Sequence, residues 1–143
     1  DFGMENNATI MLKTLQTSKD EEPSVIELCT KGRFAEKDGK FYVIYEESEM
    51  TGFEDTTTTI KVENERISMT RKGKYSGKMI FVSGEKRICS MHTPFGLLPV
   101  GVNPISMTNG LTADGGELRI EYMVDFDNRD CFKNELRLTV TKA

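Results

Sequence analysis

The chain holds a single histidine, His92, and that count already limits the chemistry open to it. Neither a two-histidine metal site nor a relay between two histidines can be built. His92 lies one residue before Thr93-Pro94 and alternates with Ile88 and Ser90. Imidazole titrates near neutrality, so a histidine at the mouth of a cavity could ligate haem or act as a general base. A strand-end histidine without chemistry is the commoner use of such a position. No carboxylate flanks it closely in sequence. Arg71 follows Ile67 and Met69 at a period of two, which puts its guanidinium on an apolar face as that face ends. There it can fork onto a carboxylate or phosphate of a ligand. It can equally pair with Glu46 or Glu47 and close the end of the fold, since a charge at a rim needs a partner. Tyr45 and Tyr122 also share faces with apolar neighbours and carry a hydroxyl at the end of an apolar ring, with core packing as the default for both. Arg71, Tyr45, Tyr122 and His92 are the candidate ligand-binding residues.

Other motifs fall away. Glu46-Glu47-Ser48-Glu49 is acidic, yet it lacks the alternating oxygen ligands, glycine and distal glutamate of an EF-hand. Asp1-Phe2-Gly3 spells a kinase magnesium motif without the rest of a kinase, and Asn7-Ala8-Thr9 spells a glycosylation site without evidence of secretion. A glycine-rich phosphate loop, a nucleophile elbow and a paired Cys-His are all missing from the sequence. No catalytic residue, metal or cofactor is therefore expected, and an enzyme working through His92, Arg71 and a carboxylate ranks last.

Composition points the same way. The 143 residues carry 19 basic and 23 acidic side chains, a net charge of -4, and the basic ones are spread out and not clustered. Nucleic acid is not an expected partner. Cys29, Cys89 and Cys131 are odd in number and far apart, which fits a reducing cytoplasm better than a disulfide framework. No window approaches the roughly 18 apolar residues of a spanning helix, and no secretory leader is visible, so no membrane association is expected. Met4 reads as the natural start, with residues 1–7 outside the folded domain and Asp1-Phe2-Gly3 left from expression.

The elements that must position these residues are strands. In Leu118-Arg119-Ile120-Glu121-Tyr122 the apolar residues alternate with charges, as they do in Ile67-Ser68-Met69 and Leu136-Arg137-Leu138. Such a strand has one face toward a core and one toward water. Asp38-Gly39, Gly115-Gly116, Asn64-Glu65 and Ser83-Gly84 are the hairpin turns that punctuate the pattern. The strands fall at 8–18, 25–37, 40–48, 56–63, 66–71, 77–82, 86–93, 97–102, 105–111, 118–128 and 132–142, with an acidic loop over 46–55. Gly32 is the expected bulge, because glycine inside a strand lets it bend. With no crossover helix in sight, the chain reads as all-β: one domain over 1–143, a single antiparallel up-and-down barrel of about eight to ten strands.

Gly32 with Phe34, Tyr45-Glu46-Glu47, Gly52 before Thr58-Thr59-Ile60-Lys61-Val62, Arg71 with Gly73, Met79 with Phe81, Thr93-Pro94-Phe95-Gly96, Gly116 leading into Ile120-Glu121-Tyr122, and Asn134 before Leu136 occur in that order. Together they resemble the YwiB-like family of small bacterial domains, over roughly residues 9–141. The resemblance implies a calycin-like barrel, similar to the lipocalins, in a bacterial cytoplasmic protein, and it implies no activity. Pro99 in Leu97-Leu98-Pro99-Val100 departs from the pattern and should mark an edge or bulge. The first functional expectation is a barrel binding a small, largely apolar ligand through a polar anchor. The alternative is a barrel filled by its own side chains that meets a protein partner, a second copy of the chain included.

Overall fold

The structure, a computed structural model, describes residues 5–93, 96–127 and 129–143, the side chains of 93, 130 and 131 excepted. The expectations for residues 1–4 and for the Pro94-Phe95 turn fall outside it. Ten strands follow one another: β1 (Ala8–Thr17), β2 (Ser24–Lys37), β3 (Lys40–Glu46), β4 (Thr56–Glu63), β5 (Arg66–Gly73), β6 (Gly77–Val82), β7 (Arg87–Thr93), β8 (Gly96–Asn109), β9 (Gly115–Phe126) and β10 (Arg129–Lys142). Each is antiparallel to its sequence neighbours, and β10 returns to pair with β1, so the meander closes into a barrel. Closure removes the two exposed edges that an open sheet would present. The alternation does what its period demands. Ile10, Val43, Ile60, Phe81, Val102, Leu118, Ile120 and Leu138 have no exposed surface and meet in the interior. Arg119, Glu121, Lys133, Glu135 and Arg137 form a mesh of ion pairs on the outer face of β9 and β10.

Three expectations about the strands need correction. Residues 97–102 and 105–111 are not two strands but the single strand β8, irregular between Pro104 and Ser106, which absorbs the proline as a bulge. Gly32 is not a bulge, since its pairings on both sides are in register. It is instead the point where β2 changes partners, residues 24–32 lying beside β1 and residues 32–37 beside β3. A Cβ there would come within 2.7 Å of both Ile10 Cγ1 and the Ile44 carbonyl oxygen, so the crossing admits only glycine. Gly115-Gly116 opens β9, and the turn lies earlier, where Thr112 and Gly115 close on each other. The Asp38-Gly39 turn has both residues at positive φ, 54° and 77°, as a tight hairpin requires. Pro99 does lie at an edge, past Gly101, the last β8 residue paired with β9.

The weakest seam among the described residues is between β6 and β7, where Lys78 and Ser90 are the one registered pair. The thiol of Cys89 stands in for the missing ladder. The Ile80 N–H donates to its sulfur at 3.4 Å, and its S–H donates to the Ile80 carbonyl at 3.8 Å. Sulfur is a weak donor and a weak acceptor, so this join is looser than a backbone ladder.

Candidate ligand-binding site

One rung of the barrel brings the candidate residues together. Tyr45 on β3 pairs with Thr58 on β4, and Thr58 pairs with Arg71 on β5. All three point inward. On the far side of Tyr45 the rung continues to Gly32, whose missing side chain leaves room for the tyrosine. Two residues after Tyr45 the same inward face presents Glu47, just beyond the end of β3. Its N–H donates to the Thr56 carbonyl at 2.8 Å, which extends the β3–β4 ladder one step and fixes the carboxylate in place.

The carboxylate is fully engaged. Its Oε1 accepts from Thr51 Oγ1 at 2.8 Å and its Oε2 from Thr58 Oγ1 at 2.5 Å. Arg71 Nε lies 3.5 Å from Oε2, with the Glu47 side chain 1% and the Arg71 side chain 19% exposed. Thr51 reaches back because residues 49–51 form a turn of 3-10 helix capped by Ser48 and ended by Gly52 at φ 83°. The expected loop over 46–55 thus begins one residue later, at Glu47 after the end of β3, and is folded inward onto the barrel mouth. Beyond the turn, the Phe53 ring covers the guanidinium of Arg71, with its centre 4.0 Å from Cζ. Tyr75 meets Phe53 edge-on at 6.0 Å and donates through its hydroxyl to Glu54 Oε1 at 2.8 Å. That hydrogen bond holds the Glu54 carboxyl below its ordinary range.

Two polar atoms in this cluster have no hydrogen-bond partner: the Tyr45 hydroxyl and Arg71 Nε. Tyr45 is 2% exposed. Burial, and after it the Glu47 carboxylate, push its hydroxyl pKa far upward, so the phenol stays neutral. The 3.5 Å approach of Arg71 Nε to Glu47 is an ion pair and not a directed hydrogen bond. Tyr122 on β9 also points inward, packing on Phe81 at 4.8 Å between ring centres. Burial raises its hydroxyl to about 12.

His92 departs from the sharper expectation. It lies on the outer face with Ser90 and with Ile88, which is 72% exposed, and touches the cluster only through Tyr75, 4.7 Å between ring centres. It therefore faces away from the interior that a haem ligand or general base would need to reach. Thr58, Thr51, Phe53 and Tyr75 are the residues that sequence reasoning missed. Among the described residues, no group of three or more His, Cys, Asp or Glu side chains is placed to hold a metal ion.

The raised tyrosines have a consequence at alkaline pH. A phenol whose folded pKa exceeds its unfolded pKa near 10 binds its proton more tightly in the folded state. Its stabilising effect is complete below pH 10 and is lost as the pH rises toward 12. Spectrophotometric titration at 295 nm should therefore show the Tyr122 phenolate appearing together with loss of the barrel's circular dichroism. In Tyr122→Phe the unfolding midpoint should move to higher pH. A Tyr122 signal that titrates near pH 10 in the intact barrel would show the hydroxyl to be solvated.

Among the described residues, no helix is long and apolar enough to cross a membrane. A solved structure, that of the ywiB protein from Bacillus subtilis, superimposes with a TM-score of 0.75, covering 96% of this chain and 92% of that one at 22% identity. That likeness shows the fold, a closed antiparallel barrel of ten strands. No curated protein matches the chain. Residues 10–138 match the model of a domain of unknown function, DUF1934, and because that match takes in nearly every strand of the barrel, the chain belongs to the DUF1934 family.

Proposed function

We propose that the protein is a non-enzymatic binding barrel that holds a small, largely apolar ligand, with the ligand's polar end at the Tyr45–Arg71 rung. The observation that carries this reading is the pair of buried polar atoms without a hydrogen-bond partner, Tyr45 Oη and Arg71 Nε, where the rung meets the apolar core. A cluster serving only to close the barrel end would satisfy its own members. Buried polar groups left without partners cost free energy, so those that persist call for an explanation such as a missing ligand. Inward-facing Met91, Met107 and Tyr122 are only partly buried around the same core, and methionine adapts its shape to what it meets. The free thiols of Cys29 and Cys89 support a reducing, cytoplasmic setting.

A second reading, a self-filled barrel that pairs with another copy of this chain, is favoured by one feature. The outer face of β1, β2, β9 and β10 carries a groove of about 570 Å³ lined by Met11, Cys29 and Met50, of which Met11 is 53% and Met50 72% exposed. Native mass spectrometry of the protein purified from its own host, followed by organic extraction, separates the two. A stoichiometric small molecule on a monomer is the expected result. A clean apo mass with a dimer peak would overturn the binding reading in favour of the second.

A further inference from the structure

We infer that the polar end of the ligand is a neutral acceptor oxygen, as in an ester, ketone or amide, and not a carboxylate or phosphate. The inference rests on the binding-barrel reading and narrows it to a chemical class. A lone buried arginine would select an anion. Arg71 is not alone, because Glu47, with 1% of its side chain exposed, already neutralises it at 3.5 Å.

Glu47 cannot readily be displaced. Both carboxylate oxygens are held by hydroxyl donors, Thr51 on one and Thr58 on the other, independently of the arginine. The Phe53 ring covers one face of the guanidinium and narrows the approach to it. An incoming carboxylate would therefore lie beside a fixed negative charge in a medium of low dielectric, where like charges repel strongly. A phosphate would do so with more charge. What the cluster leaves open is hydrogen-bond donation. Arg71 Nε has a proton to give and no acceptor, and the Tyr45 hydroxyl, also without a partner, has another. Both belong to one rung, separated only by Thr58, whose own hydroxyl is committed to Glu47. An uncharged oxygen can accept from both without adding a charge.

A matched pair of fluorescent probes tests this: 11-(dansylamino)undecanoic acid and its methyl ester, titrated into the full chain at pH 7.5. The two share an apolar body and differ at the oxygen-bearing end, a carboxylate in one and an uncharged methyl ester in the other. The ester should bind at least tenfold more tightly than the acid. Glu47→Gln should shrink that preference at least fivefold, chiefly by strengthening acid binding, since the amide leaves Arg71 without a counter-charge. Tyr45→Phe removes the hydroxyl and leaves the Glu47–Arg71 pair and the Thr51 and Thr58 hydrogen bonds in place, so this variant should fold as the parent does. It should lose affinity for the ester at least threefold, and it keeps the test decisive if Glu47→Gln does not fold. Acid binding as tight as ester binding in the parent would overturn the neutral-head inference and leave the binding barrel standing. Binding of neither probe, by a protein with an intact circular dichroism spectrum, would overturn both.

Discussion

Replacing Glu47 with alanine should be among the most damaging single changes in the barrel, costing about 3–5 kcal/mol and lowering the Tm by roughly 10–15 °C. The size follows from what the substitution leaves behind. Arg71 keeps its charge at 19% side-chain exposure but loses the carboxylate that pairs with it, and the Thr58 and Thr51 hydroxyls lose the acceptor that orders the 49–51 turn. Removing one partner of a buried pair costs far more than the pair contributes in net stability. The Arg71→Met/Glu47→Met double variant should accordingly recover much of the loss, because two well-packed apolar side chains replace a desolvated pair. Glu46→Ala is the internal control. That side chain is exposed and accepts one hydrogen bond from Thr57, so the effect should be about 1 kcal/mol or less. Thermal melts of the four proteins decide the matter. A Glu47→Ala variant within about 1 kcal/mol of the parent would show that water, and not Glu47, compensates Arg71.

Much of the architecture is legible in the sequence because period two is a strong constraint. Shifting the register of β9 by one residue would turn Ile120 out and Glu121 in, so the sequence tolerates one assignment of faces. Arg71 and Tyr45 could be placed on inward faces for the same reason, and Glu47 could be named as a partner for Arg71. What the pattern could not supply is which strands lie side by side at which rung. Thr56-Thr57-Thr58-Thr59 has no hydrophobic period of its own, and only its continuation into Ile60 and Val62 puts Thr58 on the inward face. That Thr58 lies between Tyr45 and Arg71 follows from the pairing of β4 with β3 and β5. The loop residues Thr51 and Phe53 were invisible for a different reason. Their positions depend on a capped turn folding back over the mouth, and an acidic loop of that composition reads as solvated. His92 alternates with Ile88 and Ser90, and the exposure of Ile88 shows which face of β7 that is.

The second large effect lies at the start of β9. Gly116→Ala should destabilise the barrel by about 4 kcal/mol, the sum of a backbone term and a steric one of roughly 1–3 kcal/mol each. Gly116 has φ 133°, a region that residues with a Cβ avoid, and a Cβ built there would overlap the Gly110 carbonyl oxygen and lie 3.2 Å from Leu111 Cα. The obstacle is backbone, which cannot rotate away as a flexible side chain would. Nor can the backbone retreat easily, because Gly110 is tied by its N–H to the Glu117 carbonyl at 2.8 Å and Leu111 is 6% exposed in the core. The turn that joins β8 to β9 is therefore closed against β9 by contacts that only glycine permits. Gly39→Ala isolates the backbone term. Its φ is 77°, and a Cβ there meets nothing within 4 Å, so the cost should be about 1 kcal/mol. Chemical denaturation of both variants would measure the difference. Equal losses would mean that the β8–β9 turn gives way at little cost, and that closure of this end does not depend on the Gly116 approach.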